Sequence, residues 1–190
     1  RVPERIEPLA VTAYSTTSAL GRGLAAHLKA LRDARGGLAI NDFSSAPLEC
    51  RIGRVAGIEA TALPANVAHW DCRNNRLAWI GLQQDGLLDA IAAAVARHGG
   101  ARVALVLGTS TASIGSTEDA YRRLDHGHFP ADLRRPEIHT PPSLAAFVAD
   151  VTGIAGPALT ISTACSSSAK VFASAERLIR LGLADAVLVG

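Results

Sequence analysis

Hydrophobic and polar positions along this chain fall into blocks that switch between two periods. Residues 8–13 are a short apolar run that predicts a strand. Leu24, Leu28 and Leu31 then recur at helical spacing and predict an amphipathic helix ending before Gly36-Gly37. Residues 36–75 keep no period, and Arg51-Ile52-Gly53-Arg54-Val55 is the best short-strand candidate among them. From Arg76 onward, Leu77, Ile80, Gln84, Leu88, Ile91 and Val95 stay near the helical period and predict one long helix, ended by Gly99-Gly100. Residues 102–107 predict a buried strand, residues 118–124 a helix, and residues 125–141, rich in His, Pro, Gly and Arg, a long loop. A further helix is predicted over residues 143–151, with Ser143 as its N-cap behind Pro141-Pro142. Strands alternating with helices imply an α/β chain whose sheet is mixed or parallel and covered on both faces.

The last third carries the chemistry. The run Gly156-Pro157-Ala158-Leu159-Thr160-Ile161-Ser162 reads as a strand, and it delivers Thr163-Ala164-Cys165-Ser166-Ser167-Ser168, where a helix begins. A helix N-terminus carries about half a positive charge, which favours thiolate over thiol. It also aims unpaired backbone N–H groups at whatever the sulfur attacks. Cys165 is therefore a candidate nucleophile for acyl transfer, and a buried structural cysteine is the competing reading. In the helix that follows, Val171, Phe172, Ala175, Leu178, Ile179 and Leu181 cover more than one face, as in a largely buried helix. Glu176 and Arg180 are spaced for an i,i+4 pair, Gly182 suits a C-cap, and Ala186-Val187-Leu188-Val189-Gly190 reads as another core strand. A strand–Cys–helix–strand unit puts the sulfur at a strand's carboxyl end, where open α/β sheets form their sites.

These residues resemble the β-ketoacyl-[acyl carrier protein] synthases, condensing enzymes of the thiolase superfamily. The specific block runs from Gly156-Pro157 through Thr163-Ala164-Cys165-Ser166-Ser167-Ser168 to Gly182-Leu183-Ala184-Asp185-Ala186-Val187-Leu188-Val189-Gly190. Two weaker blocks agree in order: Leu9 to Ala13 with Ala19-Leu20-Gly21, and Val103-Ala104-Leu105-Val106-Leu107-Gly108-Thr109-Ser110. The resemblance implies a thiolase-like α/β fold, layered α-β-α-β-α in the complete enzyme, with residues 1–190 supplying mainly the N-terminal half. It implies that Cys165 accepts an acyl group from a carrier-protein thioester and then undergoes decarboxylative Claisen condensation with malonyl-acyl carrier protein. It places Thr111 at the acyl pocket, where the family has a gating residue, and Arg73 and Arg76 where basic residues dock the acidic carrier protein. The catalytic histidines, the lysine that supports them and a second oxyanion amide are expected in the other half of the protein. Fatty-acid, polyketide and polyene synthesis all lie within the implied range. So do a thiolase or coenzyme A-dependent ketoacyl synthase, and a non-catalytic partner subunit of a synthase heterodimer.

Composition narrows this little. Hydrophobic residues make up 48% and charged residues 19% of 190 residues, which fits one domain with a substantial core. A mean hydropathy of +0.21 implies apolar surface that something else covers. The net charge of +2 calls for neither nucleic acid nor a membrane surface, and a cytoplasmic acyltransferase is expected. Cys50, Cys72 and Cys165 form no disulfide-like spacing, which favours a reducing compartment. Gly108 to Gly115 lacks the Gly-Lys-Ser/Thr ending of a phosphate loop. His126, His128 and His139 lack ligand-like spacing to Cys or carboxylates, so no metal is expected. No cofactor of its own is expected either, because the implied phosphopantetheine arrives on the carrier protein. The implied partners are that carrier protein and a second subunit, in a homodimer or a synthase heterodimer. Basic residues at a helix start oppose its dipole, so Arg73 and Arg76 are either docking residues or part of a solvated face held by other groups.

Overall fold

A computed structural model describes residues 8–43, 48–134 and 137–190. Its organising element is a three-stranded parallel sheet. The central strand is β5 (Val103–Gly108), preceded in the chain by β1 (Thr17–Ser18), β2 (Gly21–Arg22), α1 (Gly23–Arg32), β3 (Leu38–Ile40), β4 (Arg51–Gly53), α2 (Arg73–Leu82) and α3 (Leu87–His98). After it come α4 (Ile114–Arg122), α5 (Pro142–Thr152), β6 (Ala158–Ile161), α6 (Ser167–Arg180) and β7 (Ala186–Val189). The strand order is β6-β5-β7, with Leu105 opposite Ala158 and Val103 opposite Ala186.

Burial follows the two-residue period of β5. Val103, Leu105 and Leu107 face a core with Phe147, Leu144 and Val148 of α5, Ile91 of α3 and Leu82 of α2. Ala104 and Val106 face a smaller core with Val171 and Leu178 of α6 and with Ala184. The sheet is thus covered on both faces, as the alternation of strands and helices implies. The chain leaves β5 for β6 through α5 on one face, then crosses to β7 through α6 on the other. The carboxyl ends of these strands are where open α/β sheets place their sites. At the opposite end Arg102 locks the connection into β7. It donates to both carboxylate oxygens of Asp185, at 2.9 and 2.6 Å, and to the Gly182 carbonyl at 2.6 Å.

Several expectations are corrected. Residues 8–13 form no strand: they are exposed and pair with no ladder among the described residues, and an apolar run without a partner is not a strand. The stretch 36–75 is less irregular than expected: the strand candidate at residues 51–55 forms as β4, it pairs antiparallel with β3, and a 3-10 helix stands at Ala65–Trp70. The single long helix is two, α2 and α3. Asp85 and Gly86 take left-handed φ of 55° and 72° between them, and the Asp85 carboxylate accepts the Leu24 N–H at 3.1 and 3.0 Å. That break therefore caps α1, whose own flank supplies no side-chain cap. Asp85→Ala should lower stability by about 1 kcal/mol, read as a fall in melting temperature, while Asp85→Asn should recover part of it.

Ser143 is not an N-cap. It is buried, and its Oγ accepts an N–H from Asn75 Nδ2 at 3.0 Å, while Pro141 occupies the cap position. The helix expected at residues 118–124 starts earlier and ends earlier, as α4. The α6 helix is buried on one face only: Val171, Ala175 and Leu178 are inside, while Phe172 and Leu181 are 56% and 71% exposed. The Glu176–Arg180 pair forms, and Gly182 ends α6 with a left-handed φ of 66°. Part of the predicted loop, residues 135–136, lies outside the described residues.

Candidate active site

Cys165 lies four residues beyond the end of β6 and two before the start of α6, so the helix begins slightly later than the sequence implies. Ala164 before it holds a left-handed φ of 53°. That conformation costs an alanine about 1–2 kcal/mol, and it persists only when the surroundings over-determine it. Here the surroundings are serines. Ser167 is 3% exposed, and its Oγ donates to the Ala164 carbonyl at 2.7 Å while accepting the Thr163 N–H at 2.9 Å. Ser166 Oγ donates to the Thr163 carbonyl at 2.8 Å, and the Ser167 N–H donates to the Ala164 carbonyl at 3.1 Å. The strand therefore turns through a hydrogen-bonded elbow that lifts the cysteine out of the sheet.

Of the three thiols, Cys72 is buried while Cys165 and Cys50 are exposed. Within this chain Cys165 is thus exposed rather than packed. Burial pushes the Cys72 thiol up, opposed by the amides of Asn75 and Asn74 and by contact with Ser113. Limited alkylation at neutral pH should accordingly modify Cys165 and leave Cys72 untouched in the native protein. Peptide mapping checks this, and labelling confined to Cys50 would sink the claim for Cys165.

The second wall of the site is the loop after β5. Thr109 N–H donates to the Ile161 carbonyl at 3.1 Å, and Gly108 N–H to the Gly190 carbonyl at 2.6 Å, so the loop departs where all three strands end. Gly108 gives this approach its room: a Cβ on it would stand 3.1 Å from Ser167 Cβ and 3.2 Å from the Ser167 carbonyl carbon, so a larger residue would have to push the loop or the start of α6 by a few tenths of an ångström. Thr111 is exposed, with its carbonyl accepting the Ile114 N–H at 3.0 Å, and Ala112 beside it has a left-handed φ of 45°. The fold thus brings the Thr111 loop and the Cys165 elbow to one end of the sheet.

Arg73 and Arg76 belong to a different surface, at the start of α2. Arg76 donates Nε and Nη2 to the two oxygens of Asp71 at 2.6 Å each, and Nη1 to the Glu59 carbonyl at 2.9 Å. Hydrogen bonding to Asp71 raises its pKa further above the ordinary arginine value. Arg73 Nε donates to Glu59 Oε1 at 3.1 Å, and its guanidinium stands 5.1 Å from the centre of the Phe43 ring. The Glu59 carboxyl is lowered by its own backbone amide and by Arg73. Other groups therefore do hold these two arginines against an unfavourable helix dipole. A pocket of about 270 Å³ lies beside them, lined in part by Glu59, Leu63, Asp71 and Arg76, and Cys165 is not in it.

Sequence reasoning passed over Ala164, Ser167 and Gly108. Ser167 was visible only as one of several small residues, and nothing local says that its hydroxyl closes the elbow. Among the described residues no cluster of three or more His, Cys, Asp or Glu could hold a metal ion, and no helix is long and apolar enough to cross a membrane.

Comparison with known proteins places this geometry. The sequence matches the family described as "Beta-ketoacyl synthase, N-terminal domain" over residues 7–190. No curated protein sequence matches it. Among solved structures it is similar to a complex of the ketosynthase ApeO with its chain length factor ApeC from Xenorhabdus doucetiae. The TM-score is 0.79 at 29% identity, over 95% of this chain and 45% of that one. It is also similar to the ketosynthase from module 6 of the bacillaene synthase of Bacillus subtilis 168. There the TM-score is 0.60 at 16% identity, over 91% of this chain and 29% of that one, a likeness of fold alone. The chain thus spans less than half the length of either structure. With the cysteine elbow at the carboxyl ends of a parallel sheet, and a match over nearly its whole length, the chain belongs to the β-ketoacyl synthase family as an N-terminal domain of thiolase-like fold.

Proposed function

We propose that this chain is the nucleophile-bearing part of a condensing enzyme, and that Cys165 is its acyl acceptor. The observation that carries the reading is the elbow: an exposed thiol on a strained, serine-braced turn at the carboxyl end of β6. In the first step the Cys165 thiolate attacks the carbonyl carbon of an acyl thioester. The new carbon–sulfur bond forms as the phosphopantetheine thiolate leaves, giving an acyl-enzyme. In the second step a malonyl thioester loses carbon dioxide, and its carbanion attacks the acyl carbon. A carbon–carbon bond forms, the Cys165 thiolate is released, and the product is a β-ketoacyl thioester. The backbone N–H of Cys165 supplies part of the oxyanion stabilisation, and Thr111 lines the acyl pocket.

Incubation with an acyl-carrier thioester, followed by mass spectrometry of the Cys165 peptide, tests the reading. An acyl adduct on Cys165 supports it, and release of free acid makes the protein a hydrolase. No adduct makes it a non-catalytic partner, a role compatible with its likeness to a ketosynthase–chain length factor complex. Running the assay with the matching coenzyme A thioester separates the two donors.

The carrier-docking role rests more on Arg73 than on Arg76. Arg73 keeps 45% of its side chain exposed, whereas Arg76 keeps 28% and is held by Asp71 on two bonds. Arg73→Glu should raise KM for the acyl carrier protein several-fold at low ionic strength, with the effect fading as salt screens it. Acylation by a small thioester should be unchanged. Equal losses with both donors would make Arg73 a structural residue. A second subunit is proposed against the free side of β6, where Leu159 is 46% exposed.

A further inference from the structure

The first turn of α2 has an inner side that faces the loop after β5. Asn74 Oδ1 accepts the Thr109 hydroxyl at 3.3 Å, across 35 residues of sequence. One residue after Asn74, Asn75 is fully buried and donates to the Trp70 carbonyl at 2.8 Å and to Ser143 Oγ of α5 at 3.0 Å. Two residues before Asn74, buried Cys72 lies against buried Ser113. The loop after β5 is therefore hydrogen-bonded to this turn at one end, Thr109 to Asn74, and packs buried beside Cys72 at the other, through Ser113. Between the anchors, Thr111 is exposed and Ala112 is held at a left-handed φ of 45°. A short span with a strained middle takes its shape from where its ends are fixed. The turn is itself immobilised through Asn75, so it acts as a rigid frame for the loop.

We infer that Asn74 is a positioning residue: its hydrogen bond to Thr109 sets the course of residues 109–113 and through them the acyl-chain preference at Cys165. The second half of this inference rests on the acyl-transfer reading above, and the first half does not. Asn74 is bonded to Thr109 rather than to Cys165, so its loss should alter which acyl chains are preferred more than the overall rate.

The test uses the full-length protein and four variants: Asn74→Ala, Asn74→Asp, Thr109→Val and the double Asn74→Ala/Thr109→Val. Asn74→Asp keeps an acceptor for the Thr109 hydroxyl. Hydrogen exchange is measured at residues 103–113, alongside kcat/KM for acylation of Cys165 by short and long acyl-carrier thioesters. The expected result is faster exchange in residues 109–113, with β5 unchanged, in Asn74→Ala and Thr109→Val. The long-to-short kcat/KM ratio should shift several-fold in each. The double variant should shift no further than the larger single one, since both remove the same bond, and Asn74→Asp should resemble the parent. Unchanged exchange in Asn74→Ala, additive shifts in the double variant, or an Asn74→Asp as impaired as the alanine would each overturn the inference. Faster exchange with no acylation of the parent protein would instead keep the framing role and overturn the acyl-transfer reading. Faster exchange and an unchanged ratio in a protein that does acylate would overturn the link to chain preference.

Discussion

Cys165→Ala should eliminate acyl-enzyme formation and lower condensation by at least about a thousandfold, because a covalent mechanism without its nucleophile retains only binding and oxyanion stabilisation. The fold should survive. The side chain is exposed, so truncating it leaves no cavity, and such a change stays within about 0.5 kcal/mol. The elbow does not depend on the sulfur either, since Ser166 and Ser167 brace it through the backbone of Thr163 and Ala164. Circular dichroism and melting temperature should therefore match the parent while the acyl adduct disappears. A variant that still carried an acyl group elsewhere, or turned over at the parental rate, would remove Cys165 from the mechanism. Ser167→Ala makes the informative contrast. It leaves the thiol in place but takes away the hydroxyl that bridges Thr163 N–H and the Ala164 carbonyl, so acylation should slow through a displaced rather than a missing nucleophile.

The parts of the fold that could be read from sequence are those specified by local period. The apolar run of β5, the strand leading to Cys165, the helix after it and β7 are each set by their own residues and by contacts a few positions away. The family resemblance rested on that same segment, so the strand–Cys–helix unit was readable from both directions. The parts that could not be read are settled over long sequence distances. Residues 8–13 have a strand's composition, but pairing decides whether a strand exists. The break between α2 and α3 is carried by Asp85 and Gly86, a turn signal hidden because Gln84 and Leu88 keep the helical period across it. Its purpose, capping α1 at Leu24, lies 61 residues away.

The same distinction separates the candidate residues. Cys165 stood out as a candidate because its residue type and its local setting, a strand end before a helix, coincide. The Thr111 loop and the Cys165 elbow leave the same end of the sheet: parallel pairing of β5 with β6 puts Gly108 opposite Ile161, so the segments that follow emerge side by side. Arg73 and Arg76 looked alike in sequence and differ in the fold, because the Asp71 carboxylate and the Glu59 carbonyl hold Arg76 while the Glu59 carboxylate holds Arg73. The motif's serines looked like small packing residues. Their hydroxyls turn out to hold a backbone conformation that alanine alone would not keep.

Gly156→Ala should be the most damaging single methyl addition near the sheet. A Cβ on Gly156 would lie 2.4 Å from the Val103 carbonyl oxygen and 2.9 Å from that of Ala101, distances at which one backbone must move. Neither backbone is free to do so. The Gly156 N–H is bonded to the Val103 carbonyl at 3.2 Å, and Leu105 N–H to the Pro157 carbonyl at 2.8 Å, which are the contacts that set the register of β6 on β5. Overpacking against fixed backbone should cost about 3 kcal/mol or more. Phe147→Ala, at a fully buried side chain, should cost a similar 3–5 kcal/mol by opening a cavity. The two should differ in function. Phe147→Ala leaves the ladder in place, so its folded fraction should acylate Cys165 at the parental rate. Gly156→Ala pushes β6 along or away from β5, and Cys165 moves with the strand that carries it, so even the folded fraction should be slow. Gly115→Ala, inside α4 with nothing within 4 Å of the added carbon, is the control and should gain up to about 1 kcal/mol. Urea melts paired with acylation rates, corrected for the folded fraction, decide the matter. A Gly156→Ala protein of parental stability and rate would show that the β5–β6 register does not position the cysteine.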